Sequence, residues 1–119
     1  MAKVMLAEDD LTMVSLLTTL LHMDGFEVVS LDADEDVPAA VQRDCPDVLV
    51  LDVHLSHQDG LQILDSIRKS DHIRDTKVIM ISGMNLRDQC LKHGADDFLL
   101  KPFMPDDLLK LLKRSGKPL

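Results

Sequence analysis

The sequence predicts a doubly wound α/β domain, a five-stranded parallel sheet with helices on both faces. Three observations predict it. Short apolar runs alternate five times with segments of helical spacing, and such alternation implies right-handed crossovers between parallel strands. The third run, VLVL at 48–51, is apolar on both of its alternating sides, as a strand covered on two faces requires. Acidic, hydroxyl and lysine side chains follow the runs rather than interrupting them, and an open parallel sheet binds its ligands at the carboxyl ends of its strands.

Each element has its own signal. Lys3–Ala7 (KVMLA) is the first strand, and Leu16, Leu17, Leu20 and Leu21 give the helical spacing of a helix over Leu11–Met23, closed by Asp24 and Gly25. Asp10 is read as the cap of that helix. Glu27–Leu31 (EVVSL) is the second strand; Asp34–Cys45 is the second helix, with Pro38 in its first turn and Pro46 just past its end. After the central strand comes a polar loop over Val53–Asp59, then a helix from Gly60 to about Lys69 with Leu61, Ile63, Leu64 and Ile67 turned inward. Val78–Ile81 is the fourth strand, Asn85–His93 a short helix ended by Gly94, and Phe98–Leu100 the fifth strand. Pro105–Lys113 is a last amphipathic helix, and SGKPL at 115–119 is expected to be a frayed tail or the start of a linker.

With 119 residues, 45% of them hydrophobic, the chain fits one domain with a single core over 1–119 and leaves no room for a second. Aromatics are only 3%, so the packing is aliphatic and Phe98 stands out. The formal charge of −8 disfavours attraction to nucleic acid or an anionic membrane, so a DNA-binding role would need another segment. Cys45 and Cys90 form no C-x-x-C pair and are read as buried, reduced thiols. No segment reaches the length of a membrane span or has the form of a signal peptide, so the chain is expected to be soluble and cytoplasmic.

The strand ends carry the chemistry. Glu8, Asp9 and Asp10 follow the first strand, Asp52 the third, Ser82 the fourth, and Lys101 with Pro102 the fifth. Bringing Glu8, Asp9 and Asp52 together would raise their pKa values or call for a cation. The donors are hard oxygens, which favours Mg²⁺, with Mn²⁺ as a substitute. Beside such a cation Asp52 can act as nucleophile toward phosphorus, with Lys101 and the Ser82 hydroxyl as donors to phosphoryl oxygens. His54, His57 and Asp59 lack a fourth ligand and are not read as a second metal site.

In this order, VMLAEDD, PDVLVLDVHL, DGLQIL, VIMISG and GADDFLLKPF resemble the receiver domains of bacterial two-component response regulators over nearly the whole chain. The resemblance implies a flavodoxin-like sheet of strand order 2-1-3-4-5. It implies that Asp52 is phosphorylated by a sensor histidine kinase or phosphotransfer protein, that Asp9 binds the metal directly with help from Glu8, and that the His54 carbonyl is a further ligand. Lys101 would form a salt bridge with the phosphoryl group, and its peptide bond to Pro102 would be cis. Ser82 would move toward the phosphate and Phe98 into the vacated space, changing the surface of the fourth helix, fifth strand and fifth helix used for docking to an effector or for a phosphorylation-dependent homodimer. His54 and Met84 take the positions that tune phosphate lifetime.

Three departures from the family pattern bear on this. Ser56 stands where proline is usual, which implies a more mobile loop; Gly83 replaces a more typical Ala and opens the site to phosphodonors and water; only eleven residues separate Ser82 from Gly94, so the fourth helix is short or displaced. Such a domain is a switch that catalyses its own phosphorylation and dephosphorylation, not an enzyme acting on a separate metabolite. A phosphohydrolase resembling the haloacid dehalogenases would carry D-x-D after the first strand, where this chain has EDD. A flavodoxin would need a phosphate-cradling loop there, which these acids would repel. A docking-only pseudo-receiver would not need the acid pair, Asp52, Ser82 and Lys101 together. Stand-alone regulator and amino-terminal piece of a longer one both remain open.

Overall fold

In chain order the elements are β1 (Lys3–Ala7), α1 (Leu11–Met23), β2 (Glu27–Leu31), α2 (Val37–Asp44), β3 (Val48–Asp52), β4 (His54–Leu55), β5 (Gln58–Asp59), α3 (Gly60–Lys69), β6 (Lys77–Ser82), α4 (Arg87–Lys92), β7 (Asp97–Leu100) and α5 (Pro105–Arg114). They come from a computed structural model that describes residues 2–114. The tail expected at 115–119 lies outside the described residues. No helix among them is long and apolar enough to cross a membrane.

Five strands form one parallel sheet in the order β2-β1-β3-β6-β7, the predicted winding, and β4 and β5 form a separate two-stranded ladder. Register brings the strand ends level. Ala7 pairs with Leu51, Asp52 with Ile81, and Ser82 with Leu100, so Glu8, Asp52, Ser82 and Lys101 emerge within about one residue of a common edge.

Alternation along each strand divides the core in two. Val4 and Leu6 of β1, with Val50 and Ile81, pack against Leu17 and Leu21 of α1 and Leu108 and Leu112 of α5. Met5, Ala7, Leu49 and Met80 face the other way, onto Val41 of α2, Leu64 and Ile67 of α3 and Cys90 of α4. Val48–Asp52 is buried throughout, the reason its sequence shows no polar alternation.

The helix starts are set by acids. Asp10 accepts from the Thr12 and Met13 amides, both at 3.1 Å, and so caps α1. Asp36 caps α2 by accepting from Ala39 N–H at 3.1 Å, which moves its start from the expected Asp34 to Val37, with Pro38 in the first turn. Asp59 does the same for α3 through Leu61 N–H at 2.9 Å. α4 spans six residues and has no side-chain cap.

Two expectations need correction. Cys45 is exposed rather than buried, because it ends α2 in the left-handed conformation (φ 48) and turns away from the core; Cys90 is buried. Val53–Asp59 is not a plain loop: His54 pairs with Asp59 and Leu55 with Gln58, around a tip at Ser56–His57.

Gly60 and Gly83 sit near this edge with opposite constraints. The Gly60 N–H donates to Val53 O at 2.7 Å, and a Cβ there would collide with the Asp52 carbonyl oxygen and lie 2.7 Å from Val53 Cα. At Gly83 a Cβ would meet nothing within 4 Å. In urea unfolding followed by circular dichroism, Gly60→Ala is expected to cost about 1–3 kcal/mol through overpacking, whereas Gly83→Ala should stay within about 0.5 kcal/mol. Equal costs at the two positions would contradict the close approach at Gly60.

Candidate functional site

Three polar side chains, those of Glu8, Asp52 and Lys101, meet at the carboxyl edge of the sheet. Lys101 arrives at the end of β7 with its backbone N–H on Ser82 O at 2.8 Å and its peptide bond to Pro102 cis. Its ammonium donates to Asp52 Oδ2 at 2.6 Å and to Glu8 Oε1 at 2.9 Å. Asp52, buried at the end of β3, also accepts from His54 N–H through Oδ1 at 2.8 Å. Glu8 Oε1 takes a second donor, the Asp10 amide, at 3.3 Å.

Glu8 Oε2 is buried and has no hydrogen-bond partner. A buried carboxylate oxygen left unpaired is costly. One oxygen each from Glu8, Asp9 and Asp52 lie within 4.8 Å of one another, the only such cluster of ligating side chains among the described residues. Three converging carboxylates with one orphaned oxygen fit a hard divalent cation.

Electrostatics separate the two buried acids. Burial, reinforced by the Asp52 carboxylate beside it and only partly offset by Lys101, pushes Glu8 up to about 7. Burial also works to raise Asp52, but its contacts with Glu8, Lys101 and the His54 amide outweigh it and hold Asp52 below its ordinary value. Burial works to lower Lys101, and the contacts with Asp52 and Glu8 overcome it, so its ammonium is held above the usual lysine range. Asp52 is thus ionised across the neutral range, while Glu8 keeps its proton only up to about pH 7.

The remaining predicted residues stand slightly apart. Ser82 is buried, and its hydroxyl oxygen accepts from the Met84 amide at 3.0 Å rather than bonding to Asp52. Phe98 is already buried, in the core cluster with Met80 and Cys90. His54 and Met84 are exposed and line a cleft of about 470 Å³ beside the site, between the β4–β5 hairpin and the start of α4. Asp9 is exposed and its Oδ2 accepts from the Ser56 amide at 3.1 Å. That contact and the Gly60 approach had no signal in side-chain chemistry, because both act through the main chain.

The raised Glu8 value has a consequence for stability in metal-free solution. Folded, Glu8 keeps its proton up to about pH 7; unfolded, it loses it near 4.5. Its contribution is therefore complete below about pH 4.5 and is lost as pH rises through about 7. Asp52 acts in the opposite sense, contributing above its ordinary 3.8 and losing that share as pH falls through its depressed folded value. In EDTA, urea unfolding is expected to show wild-type stability declining from about pH 5 to about pH 7 relative to Glu8→Gln, which has no proton to lose there. Superimposable pH profiles for the two proteins would contradict the assignment.

Comparison with known proteins gives the chain's family. The profile of the family described as response regulator receiver domain matches residues 4–113. The chemotaxis protein CheY of Listeria monocytogenes is 32% identical, the match covering 98% of this chain and 100% of that protein. The transcriptional regulatory protein KdpE of Staphylococcus aureus is also 32% identical, over 98% of this chain but 52% of its own length, so the chain spans about half of such longer relatives. Among solved structures, the receiver domain of the sensor histidine kinase PA1611 from Pseudomonas aeruginosa PAO1 superposes with a TM-score of 0.82 at 24% identity, covering 95% of each chain. That structure is described with a magnesium ion coordinated in its active site cleft, and at this identity the likeness speaks for the fold. A sheet wound in this order, with an acid pair, a central aspartate and a lysine converging at its carboxyl edge, belongs to the response regulator receiver domains of two-component signalling.

Proposed function

We propose that the domain, extending over 1–119, is a phosphorylation switch in which Asp52 is the phosphoacceptor. The observation that carries this reading is the Lys101 ammonium held within hydrogen-bond reach of both Asp52 and Glu8, with Asp9 completing a cluster of three acids. Asp52 is ionised, and its buried setting spares it competition from bulk water. A carboxylate oxygen of Asp52 attacks phosphorus, and the bond to the donor breaks, its electron pair leaving with the donor nitrogen or oxygen. The product is an acyl phosphate on Asp52. Hydrolysis reverses the state: water attacks phosphorus, the bond to the Asp52 oxygen breaks, and the carboxylate and inorganic phosphate are released.

Glu8, Asp9, Asp52 and the His54 carbonyl are the groups that would hold Mg²⁺, and Mn²⁺ accepts the same donors. When bound, the cation supplies neutralisation of charge on the transferring group. Lys101 turns its ammonium from Asp52 to a phosphoryl oxygen. Ser82 gives up the Met84 amide and donates its hydroxyl to another, which draws the β6–α4 connection toward the site. Phe98, packed under α4, repacks in response and alters the surface of α4, β7 and α5. His54 and Met84, which line the cleft beside Asp52, regulate the access of water to the acyl phosphate.

The donor in this reading is a sensor histidine kinase or phosphotransfer protein in the cytoplasm. The output passes to an effector domain or protein, with a homodimer on phosphorylation as one form of that output. Incubation with acetyl phosphate and Mg²⁺, followed by intact mass, is expected to give one phosphoryl adduct in the wild type and none in Asp52→Asn or in excess EDTA. The decay of the adduct in His54→Ala reads the contribution of that side chain. An adduct that survives Asp52→Asn would place the chemistry elsewhere.

A further inference from the structure

The tip of the β4–β5 hairpin reaches the acid pair through its backbone. Ser56 has φ 53, in the left-handed region that residues other than glycine, Asn and Asp rarely enter. In that conformation its N–H meets Asp9 Oδ2 at 3.1 Å, across 47 positions of sequence. Among the described residues no other hydrogen bond or ion pair holds the Asp9 side chain.

The donor is presented by a braced turn. Leu55 is buried in the core, Gln58 Nε2 donates to the Ala33 and Glu35 carbonyls at 2.7 and 3.1 Å, and the Gly60 N–H closes on Val53 O at 2.7 Å. The mobility expected from the lack of proline is therefore replaced by anchoring from three sides. A proline at this position would have no N–H to give and is confined to negative φ.

We infer that Ser56 is a positioning residue for the divalent cation: its main-chain N–H orients the exposed Asp9 carboxylate and leaves that group's free lone pairs to the metal. The inference rests on the metal reading above. Hydrogen bonds behind a ligand fix its orientation, and their loss typically weakens metal binding by roughly 10–100-fold. The side chain of Ser56 is immaterial to this role. Glycine keeps the donor and removes the conformational strain.

The test compares wild type, Ser56→Gly and Ser56→Pro by calorimetric Mg²⁺ titration and by the Mg²⁺ dependence of adduct formation from acetyl phosphate, with urea unfolding as a folding control. In Ser56→Pro the half-saturating Mg²⁺ concentration is expected to rise about tenfold while the rate at saturating Mg²⁺ stays within about twofold, and Ser56→Gly should match the wild type. A second measurement does not depend on the proline variant folding. In metal-free protein, the Ser56 amide proton resonance should move upfield in Asp9→Asn, as a charged acceptor is replaced by a neutral one. Unchanged Mg²⁺ dependence in a folded Ser56→Pro, or a Ser56 resonance indifferent to Asp9→Asn, overturns the positioning role alone. A wild type that binds no Mg²⁺ overturns the metal reading and this inference with it.

Discussion

The ammonium of Lys101, set between Glu8 and Asp52, is the contact on which the rest of the site depends. Two carboxylates buried side by side repel each other and lose hydration, and neither would remain ionised in that position without compensation. Lys101 offsets this by donating to both, at 2.9 and 2.6 Å. It can do so only because the register of β3, β6 and β7 brings the ends of those strands level. The outcome is asymmetric: Glu8 retains a proton toward neutrality while Asp52 remains charged. Environments that push neighbouring acids apart assign them different work. In the proposed function the charged one is the phosphoacceptor, and Glu8 gives up its proton when a cation binds.

Around this contact the backbone supplies most of the positioning. His54 N–H holds one oxygen of Asp52, Ser56 N–H holds Asp9, and the Met84 amide holds the hydroxyl of Ser82. Gly60 lets the start of α3 close against the end of β3, where any side chain would collide. The edge of the sheet is thus connected to α3 through Gly60 and to the β2–α2 connection through Gln58. Phe98 belongs to the half of the core that α2, α3 and α4 share. A rearrangement at Ser82 therefore has a packed route to α4, a helix of six residues without a side-chain cap whose Cys90 lies in the same core cluster as Phe98.

Much of this was legible in the sequence because the pattern and the packing obey the same periodicity. The strands Lys3–Ala7 and Glu27–Leu31 and the helix Leu11–Met23 fall where apolar spacing places them, and Asp10 caps as its type predicts. The acids near the start of α2 were harder: Asp34, Glu35 and Asp36 all precede an apolar stretch, and only the fold selects Asp36. Two-residue strands carry no periodicity, so the hairpin at 54–59 was hidden, and a serine in the left-handed region gives no sign of itself. Cys45 departs from its expected burial for a related reason, since its exposure follows from a helix terminus rather than from its hydrophobicity. The side chains of the site were legible from their places at strand ends, Glu8 and Asp9 after β1, Asp52 and Ser82 closing β3 and β6, and Lys101 after β7. The Ser56 amide was not, since every residue except proline carries the same donor.

The most direct test of the central claim is a crystal structure of the domain with Mg²⁺ and trifluoroberyllate, a tetrahedral stand-in for the phosphoryl group. The account predicts the adduct bonded to Asp52, the Lys101 ammonium in contact with a fluorine, and the cation among oxygens of Glu8, Asp9 and Asp52. An adduct on another residue, or a Lys101 side chain turned out to solvent beside an adduct on Asp52, would contradict it.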